Sequence, residues 1–314
     1  MAQTSWTLAG VRFQNRVLVA SGTYGYGDDC TELADVNRLG GIVTKSLSLK
    51  PRDGNPPVRI VETASGMLNS IGLANIGVHR FITEKMPFLR TVRTAVVANI
   101  AASSVEEYCD VLKILDEQEG IAAYEINVSC PNVREGGLSF GTSVPMTAEI
   151  TRRLRLLTRR PLILKLTPNV THISEFAHAV ESEGADAVSV INTLVGMAVD
   201  VKSRRPVLST VTGGLSGPAI KPVALAKVYE TSRAVSIPVI GIGGIAKAND
   251  ALEFLIAGAS AVQVGTANFV DPSAAITIAD GIDRFCDEQG IVDVGMLVGS
   301  LDVKDRVSVM ESWK

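Results

Sequence analysis

The chain has 314 residues, of which 46% are hydrophobic and 20% are charged, and its formal net charge at pH 7 is −3. This balance is typical of a folded globular protein, and it argues against nucleic acid or an anionic membrane as a partner. The N-terminus lacks a basic region followed by an apolar core, and no apolar run approaches the roughly 20 residues of a membrane-spanning helix. We therefore expect a cytoplasmic protein that makes no membrane contact.

Along the chain one unit repeats: a short β-branched apolar run, a loop and an amphipathic segment of helical period. The stretch 6–13 precedes these units and predicts a small hairpin that plugs the bottom of a barrel. Eight apolar runs follow, and eight parallel strands close a (β/α)8 TIM barrel. Because no linker or composition shift interrupts the pattern, we expect a single domain over residues 1–314 with long top loops. The predicted strands are Arg16–Ala20, Gly41–Lys45, Ala95–Ile100, Ala123–Val128, Leu162–Leu166, Ala187–Ile191, Pro238–Ile242 and Ala261–Val264.

Two patterns describe helices. Ser104 and Glu107 have the spacing of a capping box, and Gly120 supplies a stop signal. Five arginines share a segment with apolar residues, and we interpret them as the solvated face of an ordinary helix, with a docking surface for an acidic partner as the alternative. They are Arg152, Arg153, Arg155, Arg159 and Arg160.

The cysteines and histidines give no metal-binding pattern. The four cysteines form no C-x-x-C pair, which argues against a structural zinc, an iron–sulfur cluster held by this chain alone and a disulfide framework. Cys109 and Cys286 lie on apolar helical stripes and are interpreted as packed core thiols, whereas the role of Cys30 stays open. The three histidines show neither H-x-E nor H-E-x-x-H spacing. We therefore expect no metal site.

The predicted strands end in polar residues. Chemistry in a (β/α)8 barrel lies at the C-terminal ends of the strands, so these residues are the candidate site. Two lysines and three asparagines are hard to explain as turn or cap residues alone. The polar positions are Ser21, Lys45, Ser46, Asn99, Asn127, Cys130, Lys165, Asn192, Thr193, Gly243, Gly244, Gly265 and Thr266.

The run 127–132, Asn-Val-Ser-Cys-Pro-Asn, sets a thiol between two carboxamides at the end of the fourth predicted strand. Carboxamides both donate and accept hydrogen bonds, so Asn127 and Asn132 could hold a flat heterocycle of alternating N–H and C=O groups. The Cys130 thiolate would act as a base beside that ring. This arrangement indicates pyrimidine chemistry, although a lone cysteine in a strand exit is more often a buried apolar residue.

Glycines follow the seventh and eighth predicted strands, where barrels of this class bind phosphate through backbone N–H groups. The run 241–246 also satisfies the loose G-x-G-x-x-A dinucleotide fingerprint. We reject that interpretation because the next strand offers no acidic residue about 20 positions on for a ribose hydroxyl. One phosphate site indicates a mononucleotide such as FMN.

Five motifs resemble the signatures of the dihydroorotate dehydrogenase family, in the family's order and across essentially the whole chain. They lie at 44–46, 66–75, 127–132, 191–193 and 212–222. The segments 20–27, 54–56, 62–63 and 136–142 resemble more narrowly the class 1B catalytic subunit. The membrane-bound, quinone-linked class is similar in its barrel, but it has an N-terminal helical extension and a serine where this chain has Cys130.

The resemblance implies roles for individual residues. Cys130 would remove the C5 proton of dihydroorotate while the C6 hydrogen leaves as hydride to the flavin, and Lys165 would stabilise charge on the reduced flavin. The glycine-rich segment Pro131–Met146, with Gly136, Gly137 and Gly141, would form a lid. FMN would bind Ser21, Lys45, Ser46, Asn99, Asn127, Lys165, Ile191, Gly217, Gly243, Gly244, Gly265 and Thr266. Dihydroorotate would bind Lys45, Asn69, Ser70, Ile71, Gly72, Leu73, Asn127, Asn132, Asn192 and Thr193.

The activity that the resemblance implies is oxidation of (S)-dihydroorotate to orotate in the synthesis of the pyrimidine nucleotide UMP. Electrons would pass from FMN to NAD+ through a partner subunit that carries FAD and a [2Fe-2S] cluster. A homodimer core with that electron-transfer subunit would form a heterotetramer. One alternative is a class 1A-like enzyme reoxidised directly by fumarate. Another, from a different functional class, is a catalytically silent barrel that acts as a scaffold or binding subunit.

Overall fold

A computed structural model describes residues 2–129, 134–135 and 138–304. Eight parallel strands in sequential order form a closed barrel, so the predicted (β/α)8 fold is confirmed. Every strand of the barrel is buried, as expected for a parallel sheet that helices cover. The strands are β1 (Val17–Val19), β2 (Gly41–Val43), β3 (Ala95–Ile100), β4 (Ala123–Asn127), β5 (Leu162–Leu166), β6 (Ala187–Val190), β7 (Val239–Ile242) and β8 (Ala261–Val264).

All eight predicted strands are present, and their ends differ from the prediction by at most two residues. The largest difference at a C-terminal end is in β2, which ends at Val43 instead of Lys45. The Lys45 N–H leaves the strand ladder and donates to the Gly25 carbonyl, 2.9 Å away in the loop after β1. Hydrophobic pattern alone could not locate this departure, because it depends on a partner about 20 residues distant in sequence.

Helices follow seven of the eight strands. The exception is the connection after β1, which contains the short 3-10 turns Asp28–Cys30 and Val36–Arg38 where the repeating pattern predicted a helix. The helix after β2 includes a π-helical turn, Phe81–Lys85. The α-helices are Val78–Arg80, Met86–Leu89, Val105–Asp116, Val144–Arg155, Ile173–Ser182, Lys221–Ala234, Ala248–Ala257, Ala267–Val270 and Ala274–Gln289.

The N-terminal hairpin closes the bottom of the barrel, as predicted. Its strands Trp6–Leu8 and Val11–Phe13 are antiparallel, and the rings of Trp6 and Phe13 stack with centroids 4.8 Å apart. Both rings pack on an apolar cluster from the strands that includes Leu18 and Ile163. This cluster is separate from the core between strands and helices. The hairpin therefore seals the end of the barrel opposite the candidate site.

The long top loops contain a sheet that the sequence did not predict. Its antiparallel strands are Leu194–Gly196, Gly213–Ser216, Gly66–Asn69 and Ile60–Thr63, in that spatial order. We call these four strands the top sheet. Neither Ile60–Thr63 nor Gly66–Asn69, which a two-residue turn joins, has the strict alternation of apolar and polar residues that marks a strand. The pairing with Gly213–Ser216 could not be found locally, because it joins segments almost 150 residues apart.

Two helix-level interpretations require correction. The Ser104 side chain accepts from the Glu107 N–H at 3.1 Å, but the Glu107 carboxylate accepts from the Ser103 N–H at 2.6 Å, so the capping box is not reciprocal. Glu107 also pairs with Arg52, which draws its carboxylate away from Ser104. The helix ends at Asp116, four residues before Gly120.

The five arginines do not form one solvated face. Arg152 and Arg153 make exposed pairs with Glu149 and Glu106, in agreement with the prediction. Arg155 and Arg160 are instead tied to the bottom of the barrel: Arg155 lies 2.7 Å from Asp186, and Arg160 donates to the Tyr124 hydroxyl and to the Gln118 carbonyl. Both arginines lie too close to the start of β5 to face only solvent.

The thiols of Cys109 and Cys286 are buried, as predicted, whereas Cys30 is partly exposed. Burial raises the pKa of all three thiols, and neighbouring carboxylates add to the effect at Cys30 and Cys286. Among the described residues, no helix is both long and apolar enough to cross a bilayer.

Candidate active site

A buried polar layer crosses the interior of the barrel just below its top. At its centre is Glu125 on β4, which is fully buried. One carboxylate oxygen accepts from Asn99 Nδ2 at 2.6 Å and lies 3.4 Å from the Lys165 ammonium. The other accepts from Gln263 Nε2 at 2.6 Å and from the Ser189 hydroxyl at 2.9 Å. Four strands besides β4 thus contribute a donor to one carboxylate.

Glu125 was not identified from the sequence, although a signal was present. A glutamate inside a buried apolar strand is rare unless its charge is paired. Glu125 also stands two residues before Asn127, and residues two apart in a strand face the same side. The combination places a carboxylate beneath the predicted site.

Lys165 lies in β5 beside Asn127, with which it is in register, and its side chain is only 7% exposed. Glu125 is the one described residue that accepts a hydrogen bond from its ammonium group. A lysine ammonium has three N–H donors, so Lys165 retains donors for a ligand above the layer.

Lys45 follows β2 at the same end of the barrel. No described residue forms a hydrogen bond or an ion pair with its ammonium group. Burial is the main cause that lowers the pKa of Lys45, and the nearby positive charge of Arg59 lowers it further. Arg59 itself donates to the carbonyls of Asp53 and Asn55. Two neighbouring cations with few acidic partners form a favourable place for an anion.

Carboxamides lie at the ends of β4 and β6, next to the lysines. Asn127 Oδ1 accepts from the Ser129 N–H and from Asn192 Nδ2, both at 3.2 Å, so the two amides are linked. The Tyr108 hydroxyl donates to the Asn127 carbonyl at 2.7 Å and fixes the strand end. Thr193 donates its N–H to Asn192 Oδ1 at 2.8 Å. The Asn127 NH2 group has no acceptor among the described residues and can serve a ligand.

A second group of predicted ligand residues lies at the edge of the top sheet. Asn69 ends one of its strands and donates to the Gly214 carbonyl at 3.3 Å. The loop 70–73 follows, and the Ser70 hydroxyl is buried without a hydrogen-bond partner among the described residues. Such an unsatisfied buried hydroxyl is costly unless a ligand or water pairs with it.

Four backbone N–H groups after β7 and β8 are candidates for binding a phosphate. In the described loops and turns, Gly243, Gly244, Gly265 and Thr266 donate no backbone hydrogen bond. Gly243 and Gly244 have φ of +128° and +74°, and a Cβ on Gly244 would lie 2.8 Å from the Lys221 nitrogen. Gly265 differs, because a Cβ there would meet nothing closer than Ala20 Cβ at 3.6 Å. Packing within the protein requires glycine at position 244 but not at position 265.

The other predicted residues are near the same end. Ser46 donates to Asn99 Oδ1 at 2.6 Å and lies 3.5 Å from the Ser21 hydroxyl. Ile191 is buried after β6, and Gly217 follows the top-sheet strand Gly213–Ser216. Thr266 donates to the Ser216 hydroxyl at 2.8 Å, which links the loop after β8 to the top sheet.

Cys130, Asn132, Gly136 and Gly137 lie outside the described residues, so their predicted roles stay predictions. The last three residues of the segment Pro131–Met146, Val144 to Met146, belong to the helix Val144–Arg155, so the predicted lid would have to end before Val144. Gly141 lies in the 3-10 turn Phe140–Thr142, whose Phe140 packs edge-on against Tyr108.

A closed (β/α)8 barrel with lysines, amides and free backbone N–H groups at the C-terminal ends of its strands belongs to the ligand-binding class of barrel proteins. The particular family follows from sequence. The family model for dihydroorotate dehydrogenase matches residues 3–286, and the chain belongs to the dihydroorotate dehydrogenase family.

Curated relatives agree with this assignment. The chain is 54% identical over 294 residues to a protein of Geotalea uraniireducens, a match that covers 94% of this chain and 96% of the relative. It is 53% identical over 296 residues to a Geobacter sulfurreducens protein (94% and 97% covered) and 50% identical over 295 residues to a Porphyromonas gingivalis protein (94% and 96% covered). All three are named dihydroorotate dehydrogenase B (NAD(+)), catalytic subunit.

A solved structure supports the fold. The dihydroorotate dehydrogenase of Eimeria tenella, determined in complex with ferulenol, superposes with a TM-score of 0.79. The match covers 95% of this chain and 88% of the other, at 21% sequence identity.

Proposed function

We propose that this chain oxidises (S)-dihydroorotate to orotate in the synthesis of pyrimidine nucleotides. The observation that carries the proposal is the pair of lysines at the top of the barrel, the buried Lys165 and the partly buried Lys45, because both ammonium groups retain donors for a ligand. The names of the relatives support the same reaction. We expect the protein to work in the cytoplasm.

The residues present fit one FMN. The free N–H groups of Gly243, Gly244, Gly265 and Thr266 would hold its phosphate, and the open space beside Gly265 leaves room for it. Lys165 would face the part of the isoalloxazine ring that gains negative charge on reduction. When bound, FMN supplies a hydride acceptor, which no side chain can provide. The other FMN residues that the family resemblance implies are Ser21, Lys45, Ser46, Asn99, Asn127, Ile191 and Gly217.

Dihydroorotate carries one carboxylate and a ring edge of alternating N–H and C=O groups. The Lys45 ammonium would bind the carboxylate, since no described residue forms a hydrogen bond or an ion pair with it. The linked amides of Asn127 and Asn192 would bind the ring edge. The unpaired Ser70 hydroxyl supports a role for the loop 69–73 in the same site.

Cys130 would be the base that removes the C5 proton, as its thiolate. The segment that follows it would act as a lid that excludes water while the proton is held on sulfur. Asn132, on the same segment, would contribute a second amide to the pyrimidine edge. These three roles rest on the sequence motif.

The electron acceptor is proposed to be NAD+, reached through a partner subunit that carries FAD and a [2Fe-2S] cluster. The words "catalytic subunit" in the relatives' names support a partner. We expect a homodimer of this chain at the core of a heterotetramer. Direct reoxidation by fumarate is the alternative that competes with this proposal.

The proposed function is tested by anaerobic single turnover with chromatography of the products. We expect the purified chain to release FMN on denaturation and to form about one orotate per FMN. NAD+ should be reduced slowly by the chain alone and rapidly after addition of the partner subunit. Fumarate-supported turnover by the chain alone would favour the alternative acceptor. FAD in the extract would contradict the mononucleotide site, and a chain that takes up no flavin would indicate a scaffold.

A further inference from the structure

Glu125 has no role in the mechanism outlined above, although it is the centre of the buried layer. It is fully buried, and its two oxygens accept from Asn99, Lys165, Ser189 and Gln263. Four donors thus converge on one buried carboxylate, and each of these hydrogen bonds stabilises negative charge on its oxygens.

The hydrogen bonds around Glu125 fix the orientation of the amides. Ser46 donates to Asn99 Oδ1, which leaves the Asn99 NH2 group for Glu125. Gln263 also presents its NH2 group to Glu125, although this leaves its own Oε1 buried and without a partner among the described residues. Leaving an amide oxygen buried and unpaired costs free energy, so the hydrogen bond from Gln263 to the Glu125 carboxylate must stabilise this orientation by more than that cost.

Lys165 is held less tightly than the amides. Its ammonium lies 3.4 Å from Glu125 Oε1, at the long end of the range for a hydrogen bond, whereas both amides approach the carboxylate to 2.6 Å. The negative charge of Glu125 is therefore stabilised mostly by neutral donors. The positive charge of Lys165 is only partly neutralised and can still act on a ligand above the layer. The side chains of Lys165 and Glu125 are almost fully removed from water. Charges interact more strongly in the protein interior than in water.

We propose that Glu125 is a positioning residue that anchors Lys165 from below and sets the reduction potential of the flavin by partly neutralising the lysine. The proposal rests on the proposed function, since it requires FMN above Lys165. A flavin gains negative charge on reduction, and an unopposed lysine stabilises that charge more strongly than a paired one. Glu125 thus keeps the potential lower than Lys165 alone would set it.

Replacement of Glu125 by glutamine tests this inference, because glutamine keeps the shape but removes the charge. The Gln263 amide can rotate to pair with the new side chain through its free oxygen. The measurement is a potentiometric titration of the bound FMN against a reference dye. We expect Glu125→Gln to bind reduced FMN about tenfold more tightly relative to oxidised FMN, which corresponds to a shift of roughly +30 mV for a two-electron couple.

Asp186→Asn is the matched control. Asp186 lies 2.7 Å from Arg155 at the bottom of the same barrel, so this change also removes one carboxylate from an ion pair. The potential of the control should equal that of the parent. A potential that stays the same or falls in Glu125→Gln would overturn the inference.

If Glu125→Gln does not fold, Glu125→Asp decides the matter. Aspartate keeps the charge but withdraws it from Lys165 by one methylene, so we expect a smaller positive shift, and no shift or a negative one contradicts the inference. Failure of the proposed function is distinguishable, because the parent chain would then bind no FMN or leave it oxidised with dihydroorotate. A normal parent with an unshifted variant refutes only the role of Glu125.

Discussion

The cations at the two ends of the barrel have opposite environments. At the bottom, Arg160 donates to Tyr124 and to two backbone carbonyls, and Arg155 pairs with Asp186. At the top, no described residue forms a hydrogen bond or an ion pair with the Lys45 ammonium, and Lys165 has one such partner at 3.4 Å. The bottom arginines hold the barrel together through donors that are already used, whereas the top lysines, whose donors are unused, are the residues that we propose to bind ligands. The comparison therefore separates residues that stabilise the barrel from residues with a proposed role in the site.

Loss of the proposed base should have the largest effect. Cys130→Ala should reduce the rate of flavin reduction by dihydroorotate about 10²- to 10⁴-fold, the usual contribution of a positioned base, and retain FMN and orotate binding. Cys130→Ser should retain a little activity, shifted to higher pH, because a hydroxyl is harder to deprotonate. Stopped-flow absorbance across a pH series measures both rates.

The control for this change is Cys109→Ala, which removes a buried thiol on the helix Val105–Asp116. It should lower stability and leave the rate at the parent value. Reduction of Cys130→Ala at the parent rate would mean that the base is another group.

A substitution at the bottom of the barrel should lower stability and leave the flavin site unchanged. Phe13→Ala removes a fully buried ring that stacks on Trp6, and it should lower the free energy of unfolding by about 3–5 kcal/mol. Denaturant titration gives this value, and the flavin spectrum of the folded variant should match the parent. A changed flavin spectrum without lost stability would contradict the claim that the bottom of the barrel affects stability and not the flavin site.

Lys45→Gln should weaken orotate binding about 10- to 100-fold, because it removes a charge-assisted pair worth about 1.5–3 kcal/mol. Only protonated lysine binds a carboxylate, so parent affinity should fall as pH rises through the lowered pKa of Lys45. Arg59→Gln removes one cause of that lowering and should move the loss of affinity to higher pH. Titration of flavin absorbance with orotate at several pH values measures these changes, and parent affinity in Lys45→Gln would exclude Lys45 from the site.

Substitutions at two glycines should distinguish effects on packing from effects on ligand binding at the same end of the barrel. Gly265→Ala should weaken FMN binding by about 1–2 kcal/mol, roughly 5- to 30-fold, and leave stability unchanged because its Cβ meets no close neighbour. Gly241→Ala would place a Cβ 2.4 Å from Phe254, so it should lower stability by about 1–3 kcal/mol. Flavin fluorescence and thermal unfolding measure the two effects. Equal FMN affinity in Gly265→Ala and the parent would place the phosphate elsewhere.

The sequence predicted the barrel well because each strand is a short, mostly apolar run that local pattern reveals. It also predicted the polar strand ends, since position in this fold determines which residues face the site. The position of Glu125 inside an apolar strand was a local signal, but its place as the common acceptor of donors from four other strands could not be found in any local pattern.

The top sheet and the bottom arginines were missed for a related reason. Gly213–Ser216 pairs with Gly66–Asn69 across a large sequence separation, and Arg160 meets Tyr124 only when two strands are adjacent. Charge runs and glycine-rich loops look alike whether they face solvent or another segment. Whether residues 1–314 form one domain stays a prediction, as do the roles of Cys130 and Asn132.

The most direct test is the visible spectrum of the purified, FMN-containing chain before and after anaerobic addition of dihydroorotate. The free donors at the top of the barrel predict that dihydroorotate bleaches the flavin absorbance and that orotate appears in equal amount. Flavin that is bound in equal stoichiometry but stays oxidised with excess dihydroorotate would contradict the assignment of this end of the barrel to catalysis.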